Sequence, residues 1–76
     1  MKNDKMDYEV FDSCYGTVIG RSTHGAYLEL DNGEPAFAYR FSALRDGTKV
    51  LCSILKKASG SRATLVGIDS VREYAA

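Results

Sequence analysis

Tyr27, Phe37 and Tyr39 supply three aromatic rings close together in the chain, and Arg21, Arg40, Lys56, Lys57 and Arg62 supply positive charge around them. Aromatic faces stack on bases of any identity while lysine and arginine neutralise phosphate, so this combination suits a single strand of nucleic acid. Each stacked base contributes about 1–3 kcal/mol, and three contacts, set against the ordering of a flexible strand, imply roughly micromolar binding. Catalysis is not expected. Asp69, Ser70 and Glu73 are acid and nucleophile types, but no base lies at a defined spacing from them, and the single histidine, His24, makes no triad. Cys14 and Cys52 lack the close spacing or accompanying histidines of a zinc site or redox motif. They read as buried reduced thiols, with a structural disulfide as the alternative in an oxidising compartment. No metal and no cofactor is expected.

Seventy-six residues suffice for one domain with a small core. No apolar run approaches the roughly 20 residues of a membrane span, so no membrane partner is expected. The start, Met1-Lys2-Asn3-Asp4-Lys5, leads into acidic residues and not into an apolar stretch, which implies no secretory signal and a cytoplasmic location. Formal net charge is zero, which weighs against a strongly electrostatic binder. The distribution is uneven. Residues 16–62 carry seven basic side chains (Arg21, Arg40, Arg45, Lys49, Lys56, Lys57 and Arg62) and four acidic ones (Glu29, Asp31, Glu34 and Asp46), a net of +3, whereas the first twelve residues carry −2.

The elements that must position these side chains are short strands punctuated by glycine. Residues 15–22 read as a first strand, with Gly16 and Gly20 as bend points of a strongly coiled sheet. After a turn at His24-Gly25, residues 26–30 alternate, with Ala26, Leu28 and Leu30 on one face and Tyr27 and Glu29 on the other. Asp31-Asn32-Gly33 is a hairpin signal in which both Asn32 and Gly33 tolerate positive φ. Residues 34–40 form a third strand, with Pro35 at its beginning, and 41–44 a helical turn. Residues 49–57 form a fourth strand with Val50, Cys52 and Ile54 on one side. A polar turn around Gly60 leads to a fifth strand over 62–69. The capping-box spacing of Ser70 and Glu73 fits the start of a short terminal helix. Residues 1–12 are either a helical turn pairing Met6 with Val10 or a disordered arm. The expected organisation is an N-terminal arm over 1–14, a domain over 15–71 and a tail over 72–76. The expected fold is all-β: a five-stranded Greek-key barrel of the oligonucleotide-binding (OB) type, with a short helical turn between strands 3 and 4.

The stretch Ala36-Phe37-Ala38-Tyr39-Arg40-Phe41-Ser42-Ala43-Leu44 resembles the second RNA-contact motif of cold-shock domains, in which two side chains two apart face the nucleic acid. Phe37 and Tyr39 occupy those places. Thr23-His24-Gly25-Ala26-Tyr27-Leu28 resembles the glycine-aromatic-aliphatic motif of S1-like domains, which implies a stacking role for Tyr27 and places His24 where an aromatic commonly precedes the glycine. Gly47, Val50 and Ile54 fit the opening of the fourth strand in that family, and Arg62 matches a basic residue that contacts backbone there. Arg40 looks inserted before the Phe-Ser-Ala-Leu turn, and Glu29 stands beside the platform, where it would repel phosphate. The resemblance implies an S1-like or cold-shock-like OB-fold domain that binds single-stranded RNA, acting in translation or RNA metabolism.

Three alternatives stay open at this level. Alternation gives the third strand two faces without saying which is inside: either Phe37 and Tyr39 point outward, or they are core and Ala36 and Ala38 face solvent. The same fold could also present its aromatic patch to a protein or ribonucleoprotein partner without binding nucleic acid. Lys56 and Lys57 are either a solvated hairpin tip or a grip on backbone phosphates.

Overall fold

The computed structural model describes residues 8–75. Five strands, β1 (Ser13–Ser22), β2 (Gly25–Leu30), β3 (Pro35–Tyr39), β4 (Lys49–Lys56) and β5 (Thr64–Glu73), close into a barrel in the order β1-β2-β3-β5-β4. β1 pairs with both β2 and β4, and all contacts are antiparallel except β3 with β5, which run parallel through Ala36 opposite Thr64 and Phe37 opposite Leu65. The result is an all-β, mixed, closed barrel compatible with an OB-fold.

Period-two alternation decides which side chains fill it. Ala26, Leu28 and Leu30 of β2, Val50, Cys52 and Ile54 of β4, and Val18 and Val66 are buried, as the alternation of β2 and β4 requires. On β3 the buried parity is Ala36 and Ala38, directly opposite Leu28 and Ala26. A narrow barrel admits only small residues where two strands crowd, so Phe37 and Tyr39 turn outward.

Several local expectations give way to tertiary pairing. The helical turn over 41–44 is instead a single turn in which the Leu44 N–H donates to the Phe41 carbonyl at 3.3 Å, and no helix occurs among the described residues. Arg40, at φ 77°, redirects the chain there, and Gly47, at φ 93°, donates its N–H to the Val18 carbonyl at 2.7 Å. Too few residues separate these two fixed points for a helix to propagate. The terminal helix suggested by Ser70 and Glu73 is likewise strand, because Val71 pairs with Val50 and Glu73 with Lys49. In the β2–β3 hairpin only Gly33 takes positive φ, 88°; Asn32 does not. The Gly33 N–H donates to Leu30 and the Leu30 N–H to Glu34, a three-residue loop with glycine at the left-handed position.

Among the first twelve residues, those described form a turn stapled to the barrel. The Phe11 N–H donates to the Ile54 carbonyl at 2.7 Å, the Ile54 N–H donates to Asp12, and the Tyr8 hydroxyl donates to the Asp31 carboxylate. The pairing of Met6 with Val10 lies outside the described residues.

Cys14 and Cys52 face each other across β1 and β4 as free, buried thiols, their sulfurs 3.8 Å apart. Burial pushes the Cys52 thiol up to about 12, with the Cys14 sulfur beside it adding to the effect, and burial raises Cys14 as well. Its bond to the Asp31 carboxylate also holds the Tyr8 hydroxyl protonated far above the ordinary tyrosine range. Each group keeps a proton in the folded protein that the unfolded chain releases earlier, so the linked stability is intact below the unfolded thiol value of 9.0 and falls as pH rises towards about 12. Thermal midpoints are therefore expected to be flat near neutrality and to drop progressively above about pH 9. A midpoint unchanged between about pH 8 and 11 would contradict this account.

Candidate nucleic-acid interface

β2 and β3 set Tyr27 directly opposite Phe37 in the ladder, and Tyr39 follows two residues along the same outward face. The Tyr27 and Phe37 ring centroids are 5.0 Å apart with planes tilted by 57°, and those of Phe37 and Tyr39 are 5.0 Å apart at 87°. Such edge-to-face contacts add about 0.5–1.5 kcal/mol beyond area burial, so the three rings hold one another in place. Tyr27 is 46% exposed and Tyr39 56%, with Phe37 half-buried between them.

Beneath Phe37 lies Gly25, the buried first residue of β2. A Cβ there would sit 2.9 Å from Phe37 Cζ and 2.1 Å from the Ala38 carbonyl oxygen. The glycine is therefore a close-approach site that lets the central ring lie down on the backbone.

The β4–β5 connection closes against the rings from the side. Ser59 and Arg62 exchange backbone hydrogen bonds around Gly60, at φ 58°, and the small hairpin so formed borders a cleft of about 620 Å³. Tyr27, Phe37 and Tyr39 line that cleft together with Lys56, Lys57 and Arg62. Arg62 stands in this loop and not at the start of the fifth strand, since β5 begins at Thr64.

The remaining three expected residues are not brought to the cleft. The His24 N–H donates to Ser22 Oγ and its carbonyl accepts the Arg40 N–H, so its backbone seals the β1–β2 turn. Arg21, at the end of β1, has Nε 3.9 Å from the Asp46 carboxylate. Arg40 takes the left-handed conformation that ends β3, which accounts for a residue that looked inserted in the sequence. Asp69, one of the acidic groups set aside as a catalytic candidate, accepts the Ser53 hydroxyl at 2.6 Å.

Two apolar neighbours were missed. Leu65 pairs with Phe37 across the parallel β3–β5 junction and lines the same cleft. Ile19, 54% exposed, sits at the β1 irregularity opposite Tyr27. Parity could have placed both outward, Leu65 beside the buried Val66 and Ile19 beside the buried Val18.

A second cleft, of about 680 Å³, lies over β1 and has the opposite electrical character. Glu29, Asp31 and Glu73 face it against only Lys49 and Arg72. Glu29 thus lines that cleft and not the one holding the rings. The barrel carries Lys56, Lys57 and Arg62 beside its aromatic cluster, with Glu34 3.9 Å from Lys57, so the ring side is net positive and the second cleft net negative.

Comparison with models of known protein families, with curated proteins and with solved structures finds no match. Fold and site together define a small five-stranded β-barrel, compatible with an OB-fold, with an exposed aromatic cluster.

Proposed function

We propose that this chain is a single-stranded nucleic-acid-binding module, with RNA as its partner, built on an OB-type Greek-key barrel of the S1-like or cold-shock-like kind. The observation that carries this reading is the convergence of Tyr27, Phe37 and Tyr39 with Lys56, Lys57 and Arg62 on one cleft. The large angles between neighbouring rings favour a single strand over a duplex. Because the faces look in different directions, each ring takes its own base, and the bases must splay apart as only an unpaired strand allows. Lys56, Lys57 and Arg62 then neutralise the linking phosphates.

Fluorescence anisotropy with a labelled oligo-uridine tests the reading. Roughly micromolar binding is expected at low salt, with a slope of log K against log salt of about −1.4, from about 0.7 per phosphate for Lys56 and Arg62, since Lys57 Nζ lies 3.9 Å from the Glu34 carboxylate. The matching deoxy-oligonucleotide is expected to bind in the same range, since stacking does not read the 2′-hydroxyl. Absence of binding at ~100 µM protein in low salt rejects the proposal, because even a non-specific phosphate binder registers there. The apolar flanks Ile19 and Leu65, with the zero net charge, favour a protein partner as the second reading. Capture of a partner with little dependence on salt would be its mark.

A further inference from the structure

Glu34 stands at the end of the β2–β3 loop with its side chain mostly covered, and three donors of different kinds converge on its carboxylate. The Thr64 hydroxyl donates to Oε2. The Asn32 amide donates to Oε1 at 3.4 Å, and Lys57 Nζ lies 3.9 Å from Oε2. Thr64 itself is fully buried, and its hydroxyl oxygen accepts the Ala58 N–H at 3.2 Å, which ties the carboxylate to the root of the β4–β5 loop. Hydroxyl, amide and ammonium around one anion is also a donor set that would seat a phosphate oxygen. Lys57 belongs to two places at once, lining the aromatic cleft while its ammonium faces Glu34.

We infer that Glu34 is an internal stand-in for phosphate: it occupies the Lys57 ammonium in the free protein and competes with the nucleic-acid backbone for it. This rests on the nucleic-acid reading above and adds that the affinity of the cleft is limited from within. Thr64 is the positioning residue, since it fixes both the carboxylate and the loop that carries Lys57. The two residues should therefore act with opposite sign. Removing the Glu34 charge frees a cation for phosphate, whereas removing the Thr64 hydroxyl loosens the loop and leaves the Ala58 N–H without its acceptor.

Glu34→Gln keeps an acceptor for Thr64 and deletes the charge, at the loss of the weaker 3.4 Å bond from the Asn32 amide, which then faces an NH2 group. With a labelled oligo-uridine about twelve nucleotides long, E34Q is expected to bind about three- to fivefold tighter than wild type, the range of a part-exposed ion pair. The salt slope should steepen by about 0.7, for one added phosphate contact. Thr64→Val should bind more weakly than wild type. In the E34Q/K57Q double variant the gain should vanish, because it passes through Lys57. Equal or weaker binding by E34Q with an unchanged slope, while wild type binds, overturns the inference and leaves the nucleic-acid reading standing. Titration with inorganic phosphate, followed at the backbone amides of residues 57–64, reads the anion seat without any nucleic acid. Saturable shifts in E34Q and none in wild type support the competition. Their presence without oligo-uridine binding would reject the nucleic-acid reading alone, and their absence from both proteins overturns the stand-in role.

Discussion

Tyr39→Ala is expected to lower affinity for oligo-uridine by about 5- to 150-fold, the effect of removing one stacked base, while shifting the thermal midpoint by no more than about 4–8 °C. The separation follows from geometry. Tyr39 is 56% exposed and meets Phe37 edge-to-face, so little folded-state packing is lost with it. Tyr27→Ala should behave alike, since Tyr27 is 46% exposed and touches Phe37 at a tilt. The informative contrast is between Tyr39→Phe and Tyr39→Leu. Phenylalanine keeps the π-face and should bind nearly as wild type, whereas leucine keeps apolar area without a face and should lose most of what alanine loses. A surface made for a protein partner would tolerate leucine better, because buried apolar area is then what counts. Wild-type anisotropy curves for both Tyr27→Ala and Tyr39→Ala would remove the rings from the interface altogether.

The sequence made some of this legible because some of its signals are local. Ala26-Tyr27-Leu28-Glu29-Leu30 alternates cleanly, and Tyr27 is accordingly outside with Leu28 inside. The third strand resisted the same argument because both of its parities are apolar. Volume decides there: Ala38 lies against Ala26 and Ala36 against Leu28, in space that has no room for Phe37 or Tyr39. Long-range closure was the least readable. Lys56 at the end of β4 and the loop bearing Lys57 and Arg62 reach the rings only because β5 runs parallel to β3, a pairing that leaves no periodic trace in either segment. The last residues of β5 were misread for a related reason, since Ser70 and Glu73 have capping-box spacing and only their pairing with β4 makes them strand. Arg40 directly follows Tyr39 and His24 stands three residues before Tyr27, yet both occupy turns, as Arg21 occupies a strand end, so nearness along the chain did not become nearness to the cleft.

Gly25→Ala is expected to damage fold and site together. The added methyl would stand 2.1 Å from the Ala38 carbonyl oxygen and 2.9 Å from both the Ala38 carbonyl carbon and Phe37 Cζ. A flexible side chain could yield, but Ala38 is paired backbone in the middle of the barrel, so β2 and β3 must move apart. Forced overpacking commonly costs about 1–3 kcal/mol, and a backbone obstacle puts this case at the upper end. That is a large share of the roughly 4–11 kcal/mol that about 0.05–0.15 kcal/mol per residue gives a chain of this size. Thermal unfolding should show a fall of about ten degrees or more. The displaced Phe37 ring should also release Tyr27 and Tyr39 from their fixed tilts, lowering oligo-uridine affinity even at temperatures where the variant remains folded. Gly20→Ala is the internal control. Its Cβ would meet Tyr27 at 3.8 Å, an ordinary contact, so both midpoint and affinity should stay near wild type. If the two glycine variants proved equally stable, the close approach of β2 to the Ala38 carbonyl would not be what holds the platform flat against the barrel.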